Sequence, residues 1–79
     1  MKIKVLFNGR IRQLNGWKPS ADIELPEGST GLDLCSHFNI VPGKDRLYGF
    51  LIRDGKKMKE EEELHDGDEI KVNGKAAGG

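Results

Sequence analysis

Residues 2–7, KIKVLF, alternate along the chain, with Ile3, Val5 and Phe7 on one side and Lys2 and Lys4 on the other. Successive strand side chains point to opposite faces, so this segment predicts a half-buried strand. Leu6 breaks the alternation and implies that the second face is partly covered. Residues 8–20 carry two Asn-Gly pairs and a proline, all turn signals. One helical turn fits at 10–14, where Ile11 and Leu14 share a side. Alternation resumes in ADIEL, residues 21–25, through Ile23 and Leu25. Pro26, with no N–H to donate to a ladder, ends it.

Thr30 and Asp33 stand at capping-box spacing, so a helix opens there. Leu34, Cys35 and Phe38 form its apolar stripe, and Pro42 and Gly43 bar its extension, which places one main helix at about 30–39. Gly31 inside it costs up to ~1 kcal/mol relative to alanine, which packing must offset. GFLIR, residues 49–53, reads as a strand, Asp54-Gly55 as a two-residue hairpin turn, and KKM as a short return strand. Leu64 is a lone apolar anchor before the turn HDGD. DEIKVN, residues 68–73, is the last strand, with Ile70 and Val72 inward. The expected fold class is α+β: one helix over one face of a mixed four- to five-stranded sheet. The domain spans 1–73, and residues 74–79, which show no period, form a flexible tail.

Composition narrows the function. The chain of 79 residues is 35% apolar, so its core is small and an elaborate catalytic pocket is not expected. Thirteen basic and thirteen acidic residues cancel, which argues against a general nucleic-acid binder. The cancellation hides an asymmetry. Residues 1–20 hold five Lys/Arg and no acid, whereas residues 60–69 hold seven acids and no Lys/Arg. That dipolar distribution suits charged protein partners. The single cysteine excludes an internal disulfide and a cysteine-based zinc set, and fits a reducing, cytoplasmic setting. No run approaches the ~18–20 apolar residues of a membrane helix, and no secretory leader is evident. No phosphate-binding glycine loop occurs.

The chain resembles the ubiquitin-like sulfur carriers of β-grasp fold, the MoaD/ThiS-like family of molybdopterin synthase small subunits and thiamin-pathway carriers. The resemblance rests on KIKVLF, RQLNG at 12–16, IELPEGST at 23–30 and LHDGDEI at 64–70, in that order, with a chain ending in Gly-Gly. It implies a β-grasp with the first and last strands parallel at the sheet centre and the helix across one face. RQLNG is closer to the molybdopterin type. The tail, NGKAAGG, departs from that type, where prolines and an apolar residue are expected before the glycines, so the pathway stays open between molybdenum cofactor and thiamin biosynthesis.

The resemblance implies a carrier rather than an enzyme, with no catalytic residue, bound cofactor or metal of its own. An E1-like adenylating enzyme would use ATP to convert the Gly79 carboxylate to an acyl-adenylate. A sulfur donor would then displace AMP, leaving a thiocarboxylate for a sulfur-accepting synthase subunit. Six extended residues from Gly74 reach roughly 20 Å, enough to thread a channel while the body stays outside. Gly78 and Gly79 lack Cβ and approach a nucleotide closely, and Ala76 and Ala77 keep the thread narrow. Two other functions stay open: a protein modifier conjugated through Gly79, and an interaction module with an inert tail. Leu6 and Leu51, out of phase with the core faces, are candidate docking residues, with Lys75 as a partner for an acidic channel mouth. Cys35 is expected in the core, His37 and His65 on the surface, and Glu60–Glu63 in a solvated loop.

Overall fold

The structure, a computed structural model, describes residues 1–75. The elements follow as β1 (Lys2–Asn8), a 3₁₀ helix (Arg10–Asn15), β2 (Ser20–Glu24), α1 (Gly31–His37), β3 (Tyr48–Arg53), β4 (Lys56–Met58) and β5 (Glu69–Gly74). The strands form one sheet in the order β2-β1-β5-β3-β4. β1 and β5 are parallel neighbours at its centre, with Val5 beside Ile70 and Phe7 beside Val72. All other pairings are antiparallel. This is the mixed α+β arrangement that the resemblance implies, with five strands. The last strand runs one residue further than the alternation suggests, so that Gly74 belongs to the sheet.

One apolar layer lies between the sheet and α1. Ile3, Val5, Phe7 and Ile23 face it from β1 and β2, Leu51, Ile70 and Val72 from β3 and β5, and Leu34 and Cys35 from the helix. Burying each large aliphatic side chain contributes about 1.5–3 kcal/mol. Phe7 and Phe38 meet edge to face at 4.9 Å between centroids. Leu64 is buried beneath the last turn, as its isolation predicts.

The cost of Gly31 is offset by contact. A Cβ on Gly31 would lie 2.8 Å from Leu51 Cδ1 and 2.9 Å from the Glu60 carbonyl oxygen. Without it, the start of α1 sits directly on the 60–63 segment. There Gly31 N–H donates to the Glu62 carbonyl at 3.1 Å, and Leu32 N–H to the Glu60 carbonyl at 2.8 Å. The acidic run is therefore a backbone support for the helix N-terminus, although Glu61, Glu62 and Glu63 remain exposed. Asp33 accepts the Thr30 backbone N–H at 2.8 Å, the bond that its capping-box spacing predicts. The helix ends before the Pro42-Gly43 stop. Asn39 adopts φ 60° and donates its N–H to the Ser36 carbonyl, and Ile40 N–H reaches back to the Cys35 carbonyl. This pair of bonds is a Schellman closure with asparagine in the left-handed position.

Leu51 is not a docking residue. It is fully buried, opposite Val72 on β5 and Met58 on β4. The three consecutive apolar residues Phe50, Leu51 and Ile52 carry no alternation, so the pairing, not the local pattern, determines that Leu51 faces the helix.

Candidate functional site

The end of β5 is the last described part of the chain and is held on both sides. Gly74 pairs with Tyr48 of β3. The next residue, Lys75, donates its backbone N–H to the Leu47 carbonyl at 2.8 Å. A Cβ on Gly74 would lie 3.2 Å from the carbonyl oxygens of both Asn8 and Leu47 and 3.3 Å from the Ile11 nitrogen. The chain thus leaves the sheet through a slot walled by the start of the 3₁₀ helix and by the 47–49 strand entry. A side chain there would require these backbone neighbours to give by a few tenths of an ångström. Gly49 forms the facing wall, where a Cβ would come within 3.1 Å of the Asn73 and Gly74 carbonyl oxygens. The irregular register between Tyr48 and Phe50 lies at the same point. Gly79, Gly78, Ala77 and Ala76, the residues expected to carry the chemistry and the thread, lie outside the described residues. Lys75 is exposed at the root of the tail.

Beside this slot, Lys44, Arg46 and Lys75 line an open hollow of about 440 Å³ whose floor includes Tyr48 and Glu60. The Tyr48 hydroxyl donates to Glu60 Oε2 at 2.6 Å. Burial pushes the adjacent Cys35 thiol up to about 11; the charge of Glu60 adds to this and the Tyr48 hydroxyl opposes it. Burial, with the bond to Glu60, also pushes the Tyr48 phenol upward. Cys35 is fully buried, and a neutral buried thiol is a packing group rather than a nucleophile. His37 and His65 are exposed, and among the described residues no cluster of metal-ligating side chains exists. No helix among them is long and apolar enough to cross a membrane.

The sheet face away from α1 carries the second feature. Leu6 on β1, Lys71 on β5, Ile52 on β3 and Lys57 on β4 stand side by side in one row across the strands. Phe50 lies on the same face one step along β3, with the Lys57 ammonium 5.3 Å from its ring centroid. Leu6, Phe50 and Ile52 are each half-buried. Leu6 therefore occupies the outer face as its phase predicts, but its apolar companions are Phe50 and Ile52 in place of Leu51. The hairpin could have identified them. The two-residue turn Asp54-Gly55 sets Met58 opposite Leu51 and Lys57 opposite Ile52, and lysine belongs on the solvent side.

No family model matches this chain, and no curated protein matches it. Several solved structures do, three of them as follows. A protein from Pyrococcus furiosus described as molybdopterin converting factor, subunit 1, is 30% identical, with a TM-score of 0.76 over 96% of this chain and 99% of that one. SAMP1 from Haloferax volcanii is 17% identical, with a TM-score of 0.75 over the whole of both chains. The solution structure of another Haloferax volcanii protein is 20% identical, with a TM-score of 0.71 over all of this chain and 87% of that one. The latter two share the fold; the first also shares enough sequence to be a relative.

Proposed function

We propose, for a chain that belongs to the MoaD/ThiS-like family of ubiquitin-like β-grasp proteins, the role of a sulfur carrier activated at Gly79. The observation that carries the reading is the rigid exit of the C-terminal segment. β5 is the central strand, bonded on both edges, and the chain is clamped as far as Lys75. The body thus holds the chain in place up to Lys75. Such a body docks on one surface of a partner while the segment beyond it enters a site that the body cannot reach.

In this reading the catalytic groups belong to the partners. An E1-like enzyme binds ATP, and a carboxylate oxygen of Gly79 attacks the α-phosphorus and expels pyrophosphate. A sulfur nucleophile then attacks the acyl carbon and releases AMP, leaving the thiocarboxylate. A synthase subunit accepts that sulfur in molybdopterin assembly, or its counterpart does so in thiamin assembly. The outer face of Leu6, Phe50 and Ile52 is the docking surface for these partners. Half-buried Leu6, Phe50 and Ile52 are interleaved with the Lys71 and Lys57 side chains, an exposed apolar patch carrying positive charge that suits a partner with apolar and acidic side chains.

ATP–pyrophosphate exchange by the activating enzyme tests the assignment. Exchange is expected with the full chain and is expected to vanish when Gly79 is deleted, while the deleted chain still competes for the enzyme. Exchange that is indifferent to the deletion, or absent with the full chain, would favour the inert-tail module. A second reading, a protein modifier, shares the adenylation step; the fold shared with SAMP1 keeps it in view. It differs in the final acceptor, a lysine amine in place of sulfur.

A further inference from the structure

We infer that the end of the molecule from which the tail departs is a cationic collar, built to seat on an acidic protein surface around the entrance to the partner's nucleotide site. The inference rests on the carrier reading only for the identity of that partner. The topology brings the collar together. Arg10 opens the 3₁₀ helix on one side of the Gly74 slot, Lys44 and Arg46 lie on the other, and Lys75 emerges between them. All four are exposed. Among the described residues none of them takes part in an ion pair.

Two acids, Asp45 and Glu60, line the same hollow, each already holding a hydrogen bond. Asp45 Oδ1 accepts the Leu47 backbone N–H at 2.9 Å, and Glu60 Oε2 accepts the Tyr48 hydroxyl. Both acids keep their charge and offset part of the collar, which retains an excess of its four cations over these two acids, with none of the four in an ion pair among the described residues. Trp17 adds an apolar anchor at the same end. It is 57% exposed, with the Arg12 guanidinium 5.9 Å from its ring. Exposed tryptophan beside arginine is the composition of interface hot spots.

The opposite end holds more acids than bases, Lys2 and Lys56 included. Glu27, Asp54, Asp66 and Glu69 cluster where β1 and β5 begin and β2 and β3 end. The neutral total of the chain thus resolves into a charge dipole along the strand axis, positive at the tail. A dipole of this sense turns the tail end first towards an acidic surface during diffusional encounter. A long polyanion lying along the molecule would also meet the acidic end and be repelled, which favours a compact acidic protein patch.

The association rate of the full chain with its E1-like enzyme, measured across ionic strength, tests this. Arg10→Glu with Arg46→Glu removes collar charge. Lys2→Glu with Lys56→Glu makes the same change in net charge at the far end. Thermal melts confirm that each variant is folded, and Arg10→Gln with Arg46→Gln supplies a milder step. At low salt the collar reversal is expected to slow association about tenfold or more, the glutamine pair by an intermediate factor, and the far-end pair by much less. The rates are expected to converge near ~1 M salt, where screening shortens to a few ångströms. Equal rates for the two reversed pairs, salt-independent association, or preferential binding of the collar to duplex DNA would overturn the inference. Adenylate formed at saturating carrier reports separately on the carrier reading, which would survive such a result. Conversely, a salt-dependent collar effect without adenylation would sustain the collar and sink the carrier.

Discussion

Two residues show how a side chain's surroundings reverse its ordinary meaning. Glycine in a helix is normally a defect that alanine repairs by about 1 kcal/mol. At Gly31 a methyl group would press on Leu51 and on the Glu60 backbone, and that backbone already holds the helix start. Gly31→Ala is therefore expected to destabilise by about 1–3 kcal/mol, the usual range for overpacking. A urea midpoint at or above that of the parent would contradict the contact. Cys35 supplies a pH signature. Its thiol ionises near the ordinary 9.0 when unfolded but only at about 11 when folded, because burial disfavours the thiolate. Above pH 9 the unfolded chain has lost a proton that the folded chain retains, so stability falls with rising pH up to about 11. That loss is about 2–3 kcal/mol at full extent. Cys35→Ala should show a flatter decline over the same window; an unchanged slope would mean that the thiol is not the source.

At the scale of elements, local pattern and pairing divide the work. Alternation locates β1, β2 and β5, and the Thr30–Asp33 spacing locates the start of α1, because these signals are carried by neighbours in sequence. The facing of β3 is not local. Phe50, Leu51 and Ile52 are equally apolar, and only registry with β4 and β5 turns Leu51 inward. The same holds for Ile40, Tyr48 and Met58, which are buried without belonging to any visible period. This facing has separable consequences. Leu51→Ala is expected to lower stability by about 2–5 kcal/mol, as for a truncated core leucine. Phe50→Ala with Ile52→Ala should cost far less stability but weaken binding to the activating enzyme by about 10- to 100-fold, the range of one or two moderate hot spots. Unfolding curves and a binding titration on the same variants check both. Loss of binding without loss of stability for Leu51→Ala would reverse the assignment of the faces.

At the scale of the molecule, strand order was legible only through family resemblance. β1 and β5 pair across most of the chain, Asn8 beside Asn73, and no local signal reports a partner that distant. The tail chemistry proposed for Gly79 is read from a few adjacent residues that lie outside the described ones. What surrounds the tail root was not, since Gly9, Arg10, Arg46 and Leu47 converge on Gly74 only after the sheet has formed. The resulting molecule has a chain held by hydrogen bonds as far as Lys75, an outer face where apolar and lysine side chains alternate, and more cations at the C-terminal end of β5 than at the opposite one. The most direct test is the intact mass of the full chain after incubation with the E1-like enzyme, ATP and a sulfur donor. A sulfur carrier gains the difference between one sulfur and one oxygen atom, and the chain lacking Gly79 gains nothing. An unchanged mass in the full chain, or the same gain after Gly79 is removed, would contradict a thiocarboxylate at Gly79.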